Sequence, residues 1–204
     1  MTQVLVLAKT PVPGRVKTRL CPPLTYEQAA EVAAAALADT LTTVTAFSAA
    51  HQALVIDGDH PAPAGWRRVP QRGGPLAERL VNAFSDTAGP PTVLVGMDTP
   101  QLTSELLGEA ADLAEVDATL GLAEDGGWWA LGLRDARHAN VLRTIATSTS
   151  DTGVQTHAAL RRRGLRVALL PILRDVDTTQ DARIVAAACS TSSRFRRTVQ
   201  AVVK

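Results

Sequence analysis

Thr92-Val93-Leu94-Val95-Gly96-Met97-Asp98-Thr99-Pro100 decides how this chain folds. Its first four residues are β-branched or aliphatic with no polar alternation, which suits a parallel strand buried on both faces. Pro100 disfavours helical geometry at the residue before it. The strand therefore runs out through Gly96 into a tight turn, and Asp98 stands at its carboxyl end. Open α/β sheets bind ligands along that edge. Asp before Thr-Pro is also an ordinary turn former, so the segment reads as a site only together with two others. These are a basic, Gly-containing loop after the first strand and the acidic cluster Asp175-Val176-Asp177-Thr178 with Asp181.

Outward from this segment, strands alternate with helices. Gln3 to Ala8 is a first strand, and the prolines and glycine between Lys9 and Leu24 make a loop. Thr25 caps a helix from Glu27 to about Phe47, with Gln28 as its box partner. Short strands are predicted at Ala53 to Ile56 and Trp66 to Val69. The spacing of Leu76, Leu80, Val81 and Phe84 predicts a helix over 75–87. Another helix runs from about Ser104 to Glu115. Ala118 to Leu122 and Trp128 to Leu133 then form strands meeting near one edge of the sheet. A helix near 152–163, a strand from Arg166 to Leu170 and a helix from about Thr179 complete the pattern. The expected fold is a three-layer, doubly wound α/β domain over 1–204 with a mainly parallel sheet, because each parallel crossover needs a helix. The tail, 190–204, is expected to be loosely attached or helical.

The 204 residues are 46% hydrophobic with a net charge of +1, enough for a full core and without the basic excess of a nucleic-acid surface. The start of the chain lacks the charged lead-in and length of a signal peptide, and no membrane span is expected. A cytoplasmic location follows as an expectation. Cys21 and Cys189 lie far apart without a partner motif, and the histidines at 51, 60, 138 and 157 fit no metal spacing and no hydrolase triad.

Four segments carry chemistry. The loop from Lys9 to Leu20 places Lys9, Arg15, Lys17 and Arg19 around Gly14, and phosphate is the natural guest of such cations and of backbone that Gly lets approach closely. It is neither a Walker loop nor a dinucleotide fingerprint. Asp98 and the Asp175/Asp177 group form an acid pair from separate strand ends, with Asp177 the member expected to face a metal, and a divalent cation bridging phosphates needs only one or two carboxylates. Asp181 reads as part of a helix start. In Glu124-Asp125-Gly126-Gly127-Trp128-Trp129, a hairpin turn precedes two indoles whose rings face opposite sides of a strand. One can enter the core while the other carries a sugar ring, and Asp125 can bond a hydroxyl or act as base. Gly74 and Arg79, at a Gly-rich helix entry, are candidates for touching a nucleotide.

With these segments in view, the chain resembles the DUF2064 family of glycosyltransferase-A-like (GT-A) proteins, often described as transferases linked to radical-SAM and arsenosugar gene neighbourhoods. The resemblance rests on Ala8-Lys9-Thr10-Pro11 with Gly14 to Leu20, Arg79-Leu80, Gly96 to Pro100, Asp125-Gly126-Gly127 through Leu133, and Asp175 to Thr178, in the family's order. It implies a nucleotide-diphospho-sugar transferase fold and a metal-dependent glycosyltransferase. Asp98 and Asp177 would hold Mg²⁺ or Mn²⁺, and Asp98 and Asp125 would be the catalytic residues. Lys9, Gly14, Arg15, Lys17, Arg19, Gly74 and Arg79 would bind the nucleotide. Gly126, Gly127, Trp128 and Trp129 would receive a small-molecule acceptor or sugar. Such transferases carry Asp-x-Asp, whereas Asp98-Thr99-Pro100 has one acid. A nucleotidyltransferase taking an NTP, similar to the guanylyltransferases of coenzyme F420 synthesis, is the alternative, and a catalytically inactive nucleotide-binding protein is a third.

Overall fold

β1 (Gln3–Lys9), β2 (His51–Asp57), β3 (Arg67–Pro70), β4 (Thr92–Gly96), β5 (Ala118–Ala123), β6 (Trp128–Leu133) and β7 (Val167–Leu173) build one sheet in the order β3-β2-β1-β4-β6-β5-β7. The computed structural model describes residues 2–49 and 51–203. β6 alone among the described strands runs against both neighbours, and the other pairings are parallel. This is the mainly parallel α/β sheet expected from the alternating pattern.

Alternate residues of each strand feed opposite faces. Val4, Val6, Leu54, Ile56, Val93 and Val95 pack under α1 (Tyr26–Ala46) and α3 (Ser104–Ala111). Leu5, Val55, Leu94 and Leu131 pack on the other face, against α2 (Leu76–Asp86), the 3-10 segment Ala136–Thr144 and α4 (Thr152–Arg162). The outer side of α1 buries a third cluster against α5 (Thr179–Ala188) and α6 (Arg194–Val202). α1 begins with the expected capping box, Thr25 Oγ1 accepting the Gln28 N–H and Gln28 Oε1 accepting the Thr25 N–H at 2.9 Å.

β5 and β6 pair and meet at the carboxyl edge of the sheet, as expected, with β6 wedged between β4 and β5 and β7 at the outer side. Two local expectations are corrected. β7 continues to Leu173 through Pro171, which an edge strand tolerates because its outward N–H needs no partner. α3 stops at Ala111, where Asp112 turns the chain and its Oδ1 accepts the Ala114 N–H. The tail after Ser190 takes the helical of its two expected forms and is docked: α6 buries Phe195 and Val199 at i, i+4 spacing against α1 and α5. Ser193 Oγ and the Phe195 N–H donate to Asp39 of α1 at 2.6 and 2.9 Å.

Candidate functional site

Strand register sets out the site. Leu7 lies opposite Gly96, Lys9 opposite Asp57, and Val95 opposite Ala130. The carboxyl ends of β1, β2 and β4 therefore sit side by side with the start of β6, and a cavity of about 740 Å³ opens there. Its walls include the loop after β1, Asp98, Asp125, Trp128, Asp175 and Asp177.

Two buried aliphatic residues bring the basic and acidic segments together. Leu20, after Arg19, and Val176, between Asp175 and Asp177, are both fully buried in the cluster on the outer side of α1. In extended chain, residues two apart point the same way, so burying Val176 turns both flanking carboxylates toward the cavity they line. The Val176 N–H donates to the Asp98 carbonyl at 3.1 Å, fastening this segment to the end of β4.

Lys17 occupies the middle of the acidic group. Its Nζ lies 2.6 Å from Asp98 Oδ1 and 3.8 Å from Asp177 Oδ1, and it donates to the Val176 carbonyl. Its backbone is left-handed, φ 49° and ψ 35°, a conformation that costs an L-residue about 1–2 kcal/mol. Arg19 Nη1 donates to Asp177 Oδ2 at 2.8 Å. Lys17 and Arg19, expected to face phosphate, thus neutralise carboxylates, while Lys9 and Arg15 are exposed at the cavity and carry no hydrogen bond or ion pair from their side chains to described residues. Arg79 also lines the cavity, tied to Asp57 at 2.9 Å and to the Gly74 carbonyl. The Gly74 N–H is already used, donating to Glu78 Oε2.

The two tryptophans split as expected of adjacent strand residues. Trp129 is the core member: it is 2% exposed and donates from Nε1 to the Pro171 carbonyl at 3.0 Å. Its ring fills the space over Gly121, where a Cβ would stand 2.3 Å from Cε2. Trp129 therefore has no free face for a sugar, and Trp128, half-buried at the cavity, is the available platform. Asp125 Oδ1 accepts the Gly127 N–H at 2.8 Å, which leaves Oδ2 for a ligand. Gly14 and Gly126 do not line the cavity. Gly14 is a turn glycine at φ +74° with open space around it. Gly126, at φ +90°, lies so close to Ser150 that a Cβ would stand 1.9 Å from its carbonyl oxygen, and its own carbonyl accepts the Gly153 N–H.

Asp175, which the sequence places with Asp177 in the acid group opposite Asp98, is the most perturbed group of the site. Burial first, then the charges of Asp98 and Asp125, push its carboxyl from 3.8 up to about 7, with Lys17 pulling the other way. Its Oδ1 has no hydrogen-bond partner among the described residues. The loop Thr147 to Ser150 also places its hydroxyl residues along the cavity, and no motif in the sequence singles it out. Ser148 there adopts φ 63°. Asp181 has the structural role expected of it, completing a capping box with Thr178 at the start of α5.

Two partly exposed carboxylates, Asp98 and Asp177, already share one cation, and the buried Asp175 beside them has an unpartnered oxygen. Oxygen donors of this kind suit Mg²⁺ or Mn²⁺, which take one or two carboxylates and keep several waters. Among the described residues no three His, Cys, Asp or Glu side chains form a complete metal cage. No helix among them is long and apolar enough to cross a membrane.

A protein of Desulfovibrio desulfuricans G20, provisionally named a nucleotide-diphospho-sugar transferase, is 30% identical, with 98% of this chain and 92% of that one aligned at a TM-score of 0.86. Two more distant structures share the fold. The 2-C-methyl-D-erythritol 4-phosphate cytidylyltransferase of Thermus thermophilus is 15% identical over 91% of this chain and 97% of its own, with a TM-score of 0.56. Rv0371c of Mycobacterium tuberculosis H37Rv, solved in complex with manganese, is 20% identical over 90% and 97%, with a TM-score of 0.51. No curated protein matches the sequence. The family model described as "Uncharacterized protein conserved in bacteria (DUF2064)" matches residues 29–149, more than half of the sequence, and the chain belongs to that family.

Proposed function

We propose that this protein is a metal-dependent transferase that takes a sugar from a nucleotide-diphosphate donor and passes it to a small acceptor bearing a hydroxyl group. The observation that carries the reading is the separation of charge along the cavity. Free cations, Lys9 and Arg15, lie on the β1 loop, carboxylates stand at the end of β4, and the far wall is made of Asp125, Trp128 and the hydroxyl loop 147–150. Diphosphate belongs on the first wall. An indole face, a carboxylate oxygen and clustered hydroxyls suit a polyhydroxylated ligand on the third and repel a phosphorylated one.

Lys9 and Arg15 bind and orient the donor phosphates. Asp98 and Asp177 would hold the divalent ion, which supplies Lewis acidity to the leaving diphosphate when bound. The Gly127 N–H fixes one oxygen of Asp125, so the other meets the acceptor hydroxyl and takes its proton. The fold is shared with solved proteins named for nucleotide-sugar and cytidylyl transfer. Nucleotidyl transfer from an NTP is the second reading, supported by the fold shared with a solved cytidylyltransferase. A cytoplasmic setting, where both kinds of nucleotide are available, fits either.

A thermal-shift panel of UDP, GDP, CDP and dTDP sugars and of NTPs, with and without Mn²⁺, tests the proposal. At a hundredfold excess over Kd, a ligand adds about 2.7 kcal/mol, roughly 5–10 °C in a chain of this size. The expected result is stabilisation by one class of diphosphate sugar only when metal is present, lost in Asp98→Ala. Stabilisation by a triphosphate alone favours nucleotidyl transfer, metal-independent binding points to a non-catalytic binding protein, and metal dependence that survives Asp98→Ala overturns the site.

A further inference from the structure

Lys17 lies in the cavity beside Lys9 and Arg15 but does not act with them. Its side chain is 9% exposed, and its ammonium is gripped by Asp98, Asp177 and the Val176 carbonyl. The neighbouring acids are far more open, at 46% and 37%. The grip is held by a left-handed backbone at a non-glycine position, a strained geometry of the sort found where a segment has work to do.

We propose that Lys17 is an exchangeable counter-ion, holding the metal-binding carboxylates in the ligand-free protein and passing to the donor's phosphates when a divalent cation takes its place. This deepens the metal-dependent reading above and rests on it. An ammonium 2.6 Å from Asp98 Oδ1 occupies the position that a cation on that oxygen needs, and two positive charges cannot share it. Lys is fitted to the move, being a compact charge on a flexible four-carbon stem. The loop is fitted too: Val12 to Arg15 are exposed, and Gly14 has open space around it. Once released, the ammonium lies on the same loop as Lys9 and Arg15, where phosphate is the nearest anionic partner. Metal alone must evict Lys17 with no new partner for it, and phosphate alone must draw it from Asp98, left without a counter-ion, and from Asp177, left to Arg19 alone. Together each removes the other's cost, so the two ligands bind with positive coupling.

The test measures Mn²⁺ binding by electron paramagnetic resonance in the wild type, Lys17→Met, Lys17→Gly and Asp98→Ala. The probes are Mn²⁺ alone and Mn²⁺ with inorganic pyrophosphate. Glycine accepts the left-handed backbone, so Lys17→Gly keeps the experiment interpretable if Lys17→Met folds poorly. The expected result has opposite signs: both Lys17 variants bind Mn²⁺ alone at least tenfold more tightly than wild type, and bind Mn²⁺-pyrophosphate at least tenfold more weakly. A purely structural lysine would weaken both. Mn²⁺ affinity unchanged or reduced in the Lys17 variants, while Asp98→Ala abolishes it, overturns the exchange and leaves the metal reading standing. Mn²⁺ binding that is absent from every form, or indifferent to Asp98→Ala, overturns both.

Discussion

Replacing Asp175 by Asn should make the protein more stable than wild type, and increasingly so as pH rises from 4 to 7. Burial and the neighbouring acids hold the Asp175 carboxyl up at about 7 in the folded state, against 3.8 for the ordinary group. Between those values the unfolded chain has lost the proton and the folded chain keeps it, so folding takes up a proton and stability falls with each unit of pH. The contribution is fully present below 3.8 and exhausted above about 7. The interval is about three units at about 1.4 kcal/mol each, which sets a ceiling of about 4 kcal/mol. Asp175 keeps some solvent contact, and its repulsive partners are screened through water, so about 2 kcal/mol is the expected size. Asn keeps the shape without the charge. Urea denaturation of metal-free wild type and Asp175→Asn at pH 4, 5, 6, 7 and 8 isolates the effect, because other titrations cancel in the difference. A stability difference that stays flat across this range, or moves in favour of wild type, refutes the reasoning.

Phe195→Ala should cost about 3–5 kcal/mol in urea denaturation, because the ring is fully buried between α6 and the outer side of α1; a cost under about 1 kcal/mol would mean that the tail is not docked. Gly126→Ala should cost at least about 2 kcal/mol, since its Cβ would collide with the Ser150 carbonyl and its φ is +90°. By displacing the hydroxyl loop it should also weaken acceptor binding while leaving Mn²⁺ binding within twofold, and calorimetry would check both.

The edge of the sheet was legible because its signals are local. Four β-branched or aliphatic residues ending before Asp98 and Pro100 mark both the strand and the carboxylate it delivers, and Thr25 with Gln28 marks the start of α1. Hidden features depend on pairing across long separations. That β6 lies inside the sheet follows from its contact with β4, which a hairpin pattern between neighbours cannot reveal. Alternation says that one indole is buried, but choosing Trp129 requires knowing that Gly121, lacking a Cβ, sits beneath its ring. Counting cations around Gly14 predicts a phosphate-binding loop, yet the attachment of Lys17 to Asp98 joins residues 81 positions apart. The tail did offer a signal, Phe195 and Val199 one helical turn apart, masked by the surrounding arginines.

The reversal of β6 decides where this scaffold is free to vary. A parallel strand there would bring its final residues to the crevice and commit the following crossover helix to the core. Running backwards, β6 instead presents its opening residue, Trp128, together with the tight turn from β5. Because Gly126 of that turn is bonded to Gly153 in the first turn of α4, a change there would reshape the crevice wall opposite Lys9 and Arg15 by moving the turn against that helix, while the end of β4 that carries Asp98 keeps its place.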